Sequence, residues 1–437
     1  MRDLQSLLDD LAAGRDVAGA SVAVGHAGRT WTATTGVLSR DTGFPVHPDR
    51  VFQIGSVTKL ITAALVMTLV DDGAVDLDAP VRRYLPTFDL VDREAAETVT
   101  VRHLLAHTGG FLGDLFTDTG RGDDALARYV ARLRTDATQL YPPGELMSYC
   151  NAGYCVLGAL AVAVQGADTY EALVRERLLA PLGMTRTAFF ADEALVLGAA
   201  VGHLRQEGAL VVAPRWQLPR SNAPAGATLC ATPSELITLG RWFLAADNRV
   251  SAAMRGPAVT VPGVPRHGLH AWGLGPELYD WNGTPAYGHD GGTLGQETML
   301  RIVPGHDLVV AICTNGNGWG LMQKLLPAIV ADRTGATVPP SPTPPADPPV
   351  VDVTPFVGRY AYPLAAYEVH ADDGGLRVRT EPRGFAAENG AEPVSRRYVP
   401  LSADTFVAVE GWDGEHATVT FPDGGRFLHA GRAAPRR

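Results

Sequence analysis

Three short segments carry side chains able to do covalent catalysis. In Gly55-Ser56-Val57-Thr58-Lys59 a hydroxyl and an amine stand three residues apart, so on a helix they share one face. A serine hydroxyl is a poor nucleophile until a neighbouring base removes its proton, and an amine one turn away is such a base. Lysine is almost absent elsewhere: of 37 basic residues only Lys59 and Lys324 are lysines. With apolar residues on both sides, Lys59 does not read as an ordinary surface cation. The second segment is Tyr149-Cys150-Asn151. A tyrosine whose pKa is lowered by a nearby ammonium can act as general base, and an asparagine amide can orient both amine and substrate. Read blandly, it is a loop tyrosine before an asparagine N-cap. The third is Tyr287-Gly288-His289-Asp290-Gly291-Gly292-Thr293, where glycines permit close backbone approach and an exposed N–H can serve as an oxyanion donor. On its own it is equally a glycine-rich hairpin.

The elements that must position these residues follow from patterning. Leucines at 4, 7, 8 and 11 give an amphipathic first helix. GASVAVGHAGRTWTATTGV reads as two strands turning at Gly28. From Ser56 to about Asp72 the period is helical, and SYCNAGYCVLGALAVAV and TYEALVRERLLAPLGM continue helical through the centre. Strands return in ETMLRIVPGHDLVVAICTNG, before a last helix, MQKLLPAIVADR. Strands, then helices, then strands imply an α+β fold: one antiparallel sheet split in sequence, flanked by helices, with an all-helical subdomain inserted.

Residues 338–349, VPPSPTPPADPP, can be neither helix nor central strand and read as a stiff spacer. The expected division is a catalytic domain over 1–337, a proline-rich linker over 338–350 and a module over 351–437. In that module short strands separated by Asp-Gly and Gly-Gly turns predict a small antiparallel β-barrel, with Tyr360 and Trp412 in its core. Arg426, Arg432, Arg436 and Arg437 are most simply solvated charges. A barrel docked over the cleft would instead let Arg426 or Arg432 grip a substrate carboxylate bidentately.

The three motifs in this order resemble those of the penicillin-binding-protein and class C β-lactamase superfamily. LLAHTGG (104–110), YCNAGYCVLG and PAGATLCATPSEL (224–236) agree, and the resemblance spans most of residues 10–335. It implies a β-lactamase/transpeptidase-like fold with Ser56 as nucleophile and Lys59 as its activating partner. Tyr149 would be the base that returns the proton to the leaving group, and Asn151 would bind the acyl amide. His289 stands where many members have lysine, with a charge that varies around pH 6–7. The oxyanion hole would be the N–H groups of Ser56 and Gly292, with Asp290 and Gly291 on the same substrate-binding strand. His in place of Lys points away from antibiotic hydrolysis. Cys150, where Ser or Ala is common, reads as a packed thiol, too poorly aimed at Cys155 for a disulfide.

A barrel after a proline-rich linker resembles the lipocalin-like modules of stand-alone penicillin-binding-protein-type thioesterases. These release a peptidyl thioester with a D-residue at its C-terminus and close it into a ring. The alternatives are a D-stereospecific peptidase, amidase or esterase using water, and a non-catalytic β-lactam sensor or scaffold. The expected partner is a peptide-like ester, thioester or amide, free or carrier-protein-bound. With 47 acidic against 37 basic residues and a net charge of −10, nucleic acid and anionic membrane are poor partners. His103 and His107 lack the glutamate of a zinc-hydrolase helix, which leaves His107 a loop-bracing role, and Gly291-Gly292-x-x-Gly295 is no dinucleotide fingerprint. No metal or cofactor is expected. Four cysteines in 437 residues, no apolar run near the ~18 residues of a membrane span, and no signal-peptide pattern at the N-terminus predict a cytoplasmic protein.

Overall fold

The computed structural model describes residues 3–412 and 414–437. Its main sheet has eight antiparallel strands, in the order 29–36, 19–26, 308–314, 297–303, 284–292, 277–281, 269–272 and 259–260. The first hairpin turns at Ala27-Gly28, both with positive φ (49° and 74°), the twist that two-residue hairpin loops favour. Chain order is thus split, as the patterning predicts: the first two strands lie beside the last two, and about 220 residues of mainly helical chain loop out between them.

Both faces of the sheet are covered, and the strand Leu308–Thr314 shows how. Val309, Ala311 and Cys313 join the core beneath the helical subdomain, while Leu308, Val310 and Ile312 pack against the helices Leu4–Ala12 and Trp319–Thr334. Period-two alternation sends successive side chains to opposite faces, and here both are apolar because both are roofed. In the helical subdomain the helix Thr58–Asp71 is buried on almost every side, Thr58 to Met67 without a break. A helix apolar all round belongs in an interior, and this one is the axis on which the helix Asn151–Gln165 packs.

A second sheet of eight antiparallel strands, between Gly358 and Pro435, runs as a meander in chain order. It closes on itself through the Tyr360–Arg436 bridge and the Arg437 N–H donated to the Arg359 carbonyl (2.8 Å), so no edge is left open. Phe356, Tyr360, Phe406 and Phe421 fill its core. Trp412, expected there, is 56% exposed; it sits in a short bridge to Glu415 outside the barrel strands. The proline-rich segment is not a free spacer either. The Ser341 hydroxyl donates to Glu415 (2.5 Å) and contacts His267 Nε2 (2.9 Å), pinning the segment to both the body and the barrel.

The barrel docks through the turn that carries Tyr149. Gly431 accepts from the Tyr149 N–H (3.1 Å), Ala433 donates to Ser148 Oγ (3.0 Å), and His429 Nε2 donates to the Met147 carbonyl (2.9 Å). Tyr141 and Phe427 meet edge to face beside them. Burial holds His429 down at about 4, against an ordinary value near 6.5. Between those two pH values the unfolded chain binds a proton that the folded chain refuses, so this histidine costs stability as pH falls. The thermal midpoint of His429→Gln, which keeps an N–H donor, is expected to change less between pH 6.5 and 4 than that of the wild type. Equal slopes in calorimetry would show that the His429 contact is not what acid weakens.

Candidate active site

The local backbone dictates where Ser56 stands. Residues 55–57 form a 3₁₀ turn that leads into the buried helix, with Gly55 at φ 52°. Two other glycines press on that turn. A Cβ on Gly291 would collide with the Ile54 carbonyl, and one on Gly226 with the Gly55 carbonyl. The glycines of the third motif therefore serve first to let the strand 284–292 lie against the serine turn, with the backbone of Gly292 beside Gly55. That brings Ser56 and Gly292 together on the wall of a cavity of about 420 Å³.

Lys59 is fully buried. Its Nζ donates to Ser56 Oγ (2.9 Å) and to the Ala225 carbonyl (2.5 Å), and it lies 4.8 and 5.6 Å from the ring centres of Tyr149 and Tyr154. Removing an ammonium from water disfavours its charge, and burial lowers Lys59 to about 7. The neutral amine, the form able to take the Ser56 proton, is thereby brought into the neutral pH range.

Tyr149 stands with Ser56 on the wall of that cavity, and burial pushes its phenol well above the ordinary value. The sequence-based expectation of a lowered tyrosine pKa is therefore reversed. Desolvation outweighs the lowering effects of Ser56 and of the Arg432 guanidinium. Tyr149 enters as a neutral hydroxyl.

His289 is also corrected. Its Nδ1 donates to the Asp290 carbonyl (2.5 Å), and burial, reinforced by Lys59, lowers it to about 3. It is uncharged throughout the physiological range rather than titrating at pH 6–7. Its Nε2, left as an acceptor, is buried without a partner on the wall of the cavity. The Asp290 side chain faces Arg301 (2.8 Å).

Asn151 opens the helix Asn151–Gln165, but its cap is Cys150, whose sulfur accepts from the Gly153 N–H (3.3 Å). The thiol is thus both packed and a cap, filling the place of a serine. All four cysteines are free. Asn151 Nδ2 donates to Asp114 Oδ1 (2.6 Å), and Asp114 forms a two-pronged pair with Arg432 of the barrel. The Arg432 guanidinium also stacks over Tyr149, 4.9 Å from its ring centre. It is not a solvated charge.

His107 does brace a loop, with Nδ1 accepting from the Cys150 N–H (3.0 Å). Its ring also lies 4.4 Å from that of Tyr149 and 5.0 Å from that of Trp272. Asp114, Trp272 and Glu277 were not legible as site residues, since each stands in a segment that no motif marks; Arg432 was legible only as a possible grip on a substrate carboxylate, not as the partner of Asp114. The cluster His267, Ser341 and Glu415 looks like a triad in composition but not in geometry. His267 Nδ1 faces the Pro339 carbonyl (3.2 Å), and both other members contact Nε2.

The acylation rate is expected to rise with pH to a plateau, with one apparent pKa near 7 from Lys59. A second step near 6.5 in pre-steady-state kinetics would place a charge on His289 and contradict its buried geometry.

The Beta-lactamase family profile matches residues 4–333. Penicillin-binding protein 4 of Amycolatopsis lactamdurans is 40% identical over 371 residues, covering 82% of this chain and 96% of that protein. SurE is similar over 99% of this chain and 98% of its own, with a TM-score of 0.77 and 29% identity; its structure with D-Leu gives a TM-score of 0.75. The D-amino acid amidase of Ochrobactrum anthropi SV3, solved with L-phenylalanine amide, covers 76% of this chain and 98% of its own (TM-score 0.63, 25% identity). With the profile matched over most of its length and the serine, lysine and tyrosine brought together, the chain belongs to the β-lactamase family, as a serine hydrolase or acyltransferase.

Proposed function

We propose that the protein forms an acyl-enzyme at Ser56 from a peptidyl thioester ending in a D-residue, and that the peptide's own amine releases it as a ring. The observation that carries this reading is the charge of the cleft. The position that holds lysine in many relatives is a neutral histidine, and the nearest guanidinium, Arg432, is already paired with Asp114. Among the described residues lining the cavity no cation is free to clamp the carboxylate of a β-lactam, whereas a thioester carbonyl needs none. The likeness to SurE along the whole chain, barrel included, and the D-Leu found with that protein support a D-residue at the reacting carbonyl.

In this reading neutral Lys59 takes the Ser56 proton as Oγ attacks the carbonyl. Charge develops on the carbonyl oxygen, facing the N–H groups of Ser56 and Gly292, in a site shielded from water where such donors act most strongly. Tyr149, a neutral hydroxyl on the same cavity wall as Ser56, passes its proton to the departing thiolate. It then takes the proton that the attacking amine gives up, while Lys59 hands its proton back to Ser56 Oγ as the bond from Oγ to the acyl carbon breaks. Asn151 binds the acyl amide, and Arg432 and Asp114 hold it in place. The division into a catalytic domain (1–337), linker (338–350) and barrel (351–437) belongs to the same proposal.

The test is intact-mass spectrometry with a peptidyl thioester ending in a D-residue, following enzyme and product. A transient adduct on Ser56 and a product lighter than the linear acid by one water are expected. An adduct resolving only to linear acid would make the protein a D-stereospecific hydrolase with water as acceptor. Ser56→Ala should give no adduct. Lys59→Ala and Tyr149→Phe should each slow acylation by about 10²–10⁴. Lys59→Arg should do no better than alanine, since a guanidinium does not give up its proton. Full activity in Lys59→Arg would remove the lysine from the mechanism.

A further inference from the structure

The cavity at Ser56 has a neighbour. A second cavity, also about 420 Å³, shares Leu269, Glu277, Asp290 and Trp319 with it as a common wall. Either alone suits a small ligand; together they have room for several residues of peptide. The far cavity lies between the sheet, the helix Trp319–Thr334 and the barrel, which contributes Trp412 and Glu415.

Its charges do not balance. Arg301 serves two carboxylates at once, Asp290 at 2.8 Å and Glu277 at 3.8 Å, while its Nε finds no partner. Arg266 and His267 face Glu415 (3.6 and 3.2 Å). Glu277 accepts a hydrogen bond from the Tyr279 hydroxyl (2.5 Å) and shares its nearest cation with Asp290. It is 7% exposed and stands in the wall between the two cavities. Burial pushes the carboxyls of both Glu277 and Asp290 up, against the lowering effect of the Arg301 that they share. Aromatic rings also line the far cavity, among them Trp319 and the exposed Trp412, and such rings attract cations over their faces. An unbalanced carboxylate and an aromatic wall ask for the same ligand.

Resting on the peptidyl-thioester reading above, we infer that the far cavity is a subsite for the amine-bearing end of the peptidyl substrate, with Glu277 as the residue that holds its ammonium. Seated there, the amine waits behind the wall that separates it from Ser56, and it loses its proton only on leaving Glu277 to attack the acyl-enzyme. The cavity would thus select substrates long enough to fill both spaces and with a free amine at the far end.

The experiment compares three thioesters ending in the same D-residue: a single residue, an eight-residue peptide with a free amine, and that peptide with its amine acetylated. In the wild type, the KM for acylation by the free-amine peptide is expected to lie about tenfold below that of its acetylated twin, the size of one charge-assisted hydrogen bond. Glu277→Gln should reduce that ratio to near one. Trp412→Ala, a change at an exposed position, should raise the KM of the free-amine peptide about fivefold. Equal KM values for the two long peptides in the wild type would overturn the subsite. So would a preference that survives intact in Trp412→Ala and, if it folds, in Glu277→Gln. An adduct with the single-residue thioester but no preference between the long ones would leave the thioesterase reading standing and remove the subsite alone. No adduct with any of the three would overturn both.

Discussion

A lysine amine held away from water is the constraint around which the rest of this protein is arranged. Burying an ionisable amine is unfavourable unless the group sheds its charge or finds partners, and Lys59 does both. It reaches Ser56 and the Ala225 carbonyl while two tyrosine rings close over it. For this to happen, the helix Thr58–Asp71 has to lie in the interior, and the loop at 225–226 has to approach the serine turn closely enough that Gly226 tolerates no side chain. What the fold spends in desolvation at Lys59 it recovers as a base poised near neutral pH.

The same desolvation sets the character of the neighbours. Tyr149 and His289 stay uncharged because they share the dry pocket, and their ordinary solution behaviour misleads for that reason. Arg432, stacked over Tyr149, is tolerated because Asp114 neutralises it, and the pair in turn fixes Asn151. Catalytic body and barrel are therefore not two parts tied by a strap. The backbone of the turn at 147–149 is hydrogen-bonded to the barrel hairpin, so the orientation of Tyr149 depends on how the barrel is seated.

Much of this was legible in the chain. Period-two and helical patterns found the split sheet, the buried helix and the barrel, because those patterns report local geometry. The rarity of lysine singled out Lys59, and motif order joined Ser56, Tyr149, Asn151 and His289, which the fold brings to one cavity. What stayed hidden depends on distant packing. Nothing local distinguishes Arg432 from Arg436, yet one reaches Asp114 and the other hydrogen-bonds backbone carbonyls on the barrel. Trp412 looked like core by residue type and lies outside it, since a tryptophan's hydrophobicity says nothing of which surface it faces. The pKa directions of Tyr149 and His289 were misread for a related reason: motifs name neighbours but not the amount of water between them.

The hairpin that delivers Arg432 is the last element of the fold, and its strands also close the barrel. During synthesis, the serine, lysine and tyrosine are all made hundreds of residues before it, yet the cleft lacks the wall that Arg432 supplies until that hairpin has been made and the barrel has shut. A nascent or C-terminally clipped chain would hold the reactive serine without the contacts that seat Tyr149 and Asn151. The contacts that seat Tyr149 and Asn151 therefore form only after every motif residue they seat has been made.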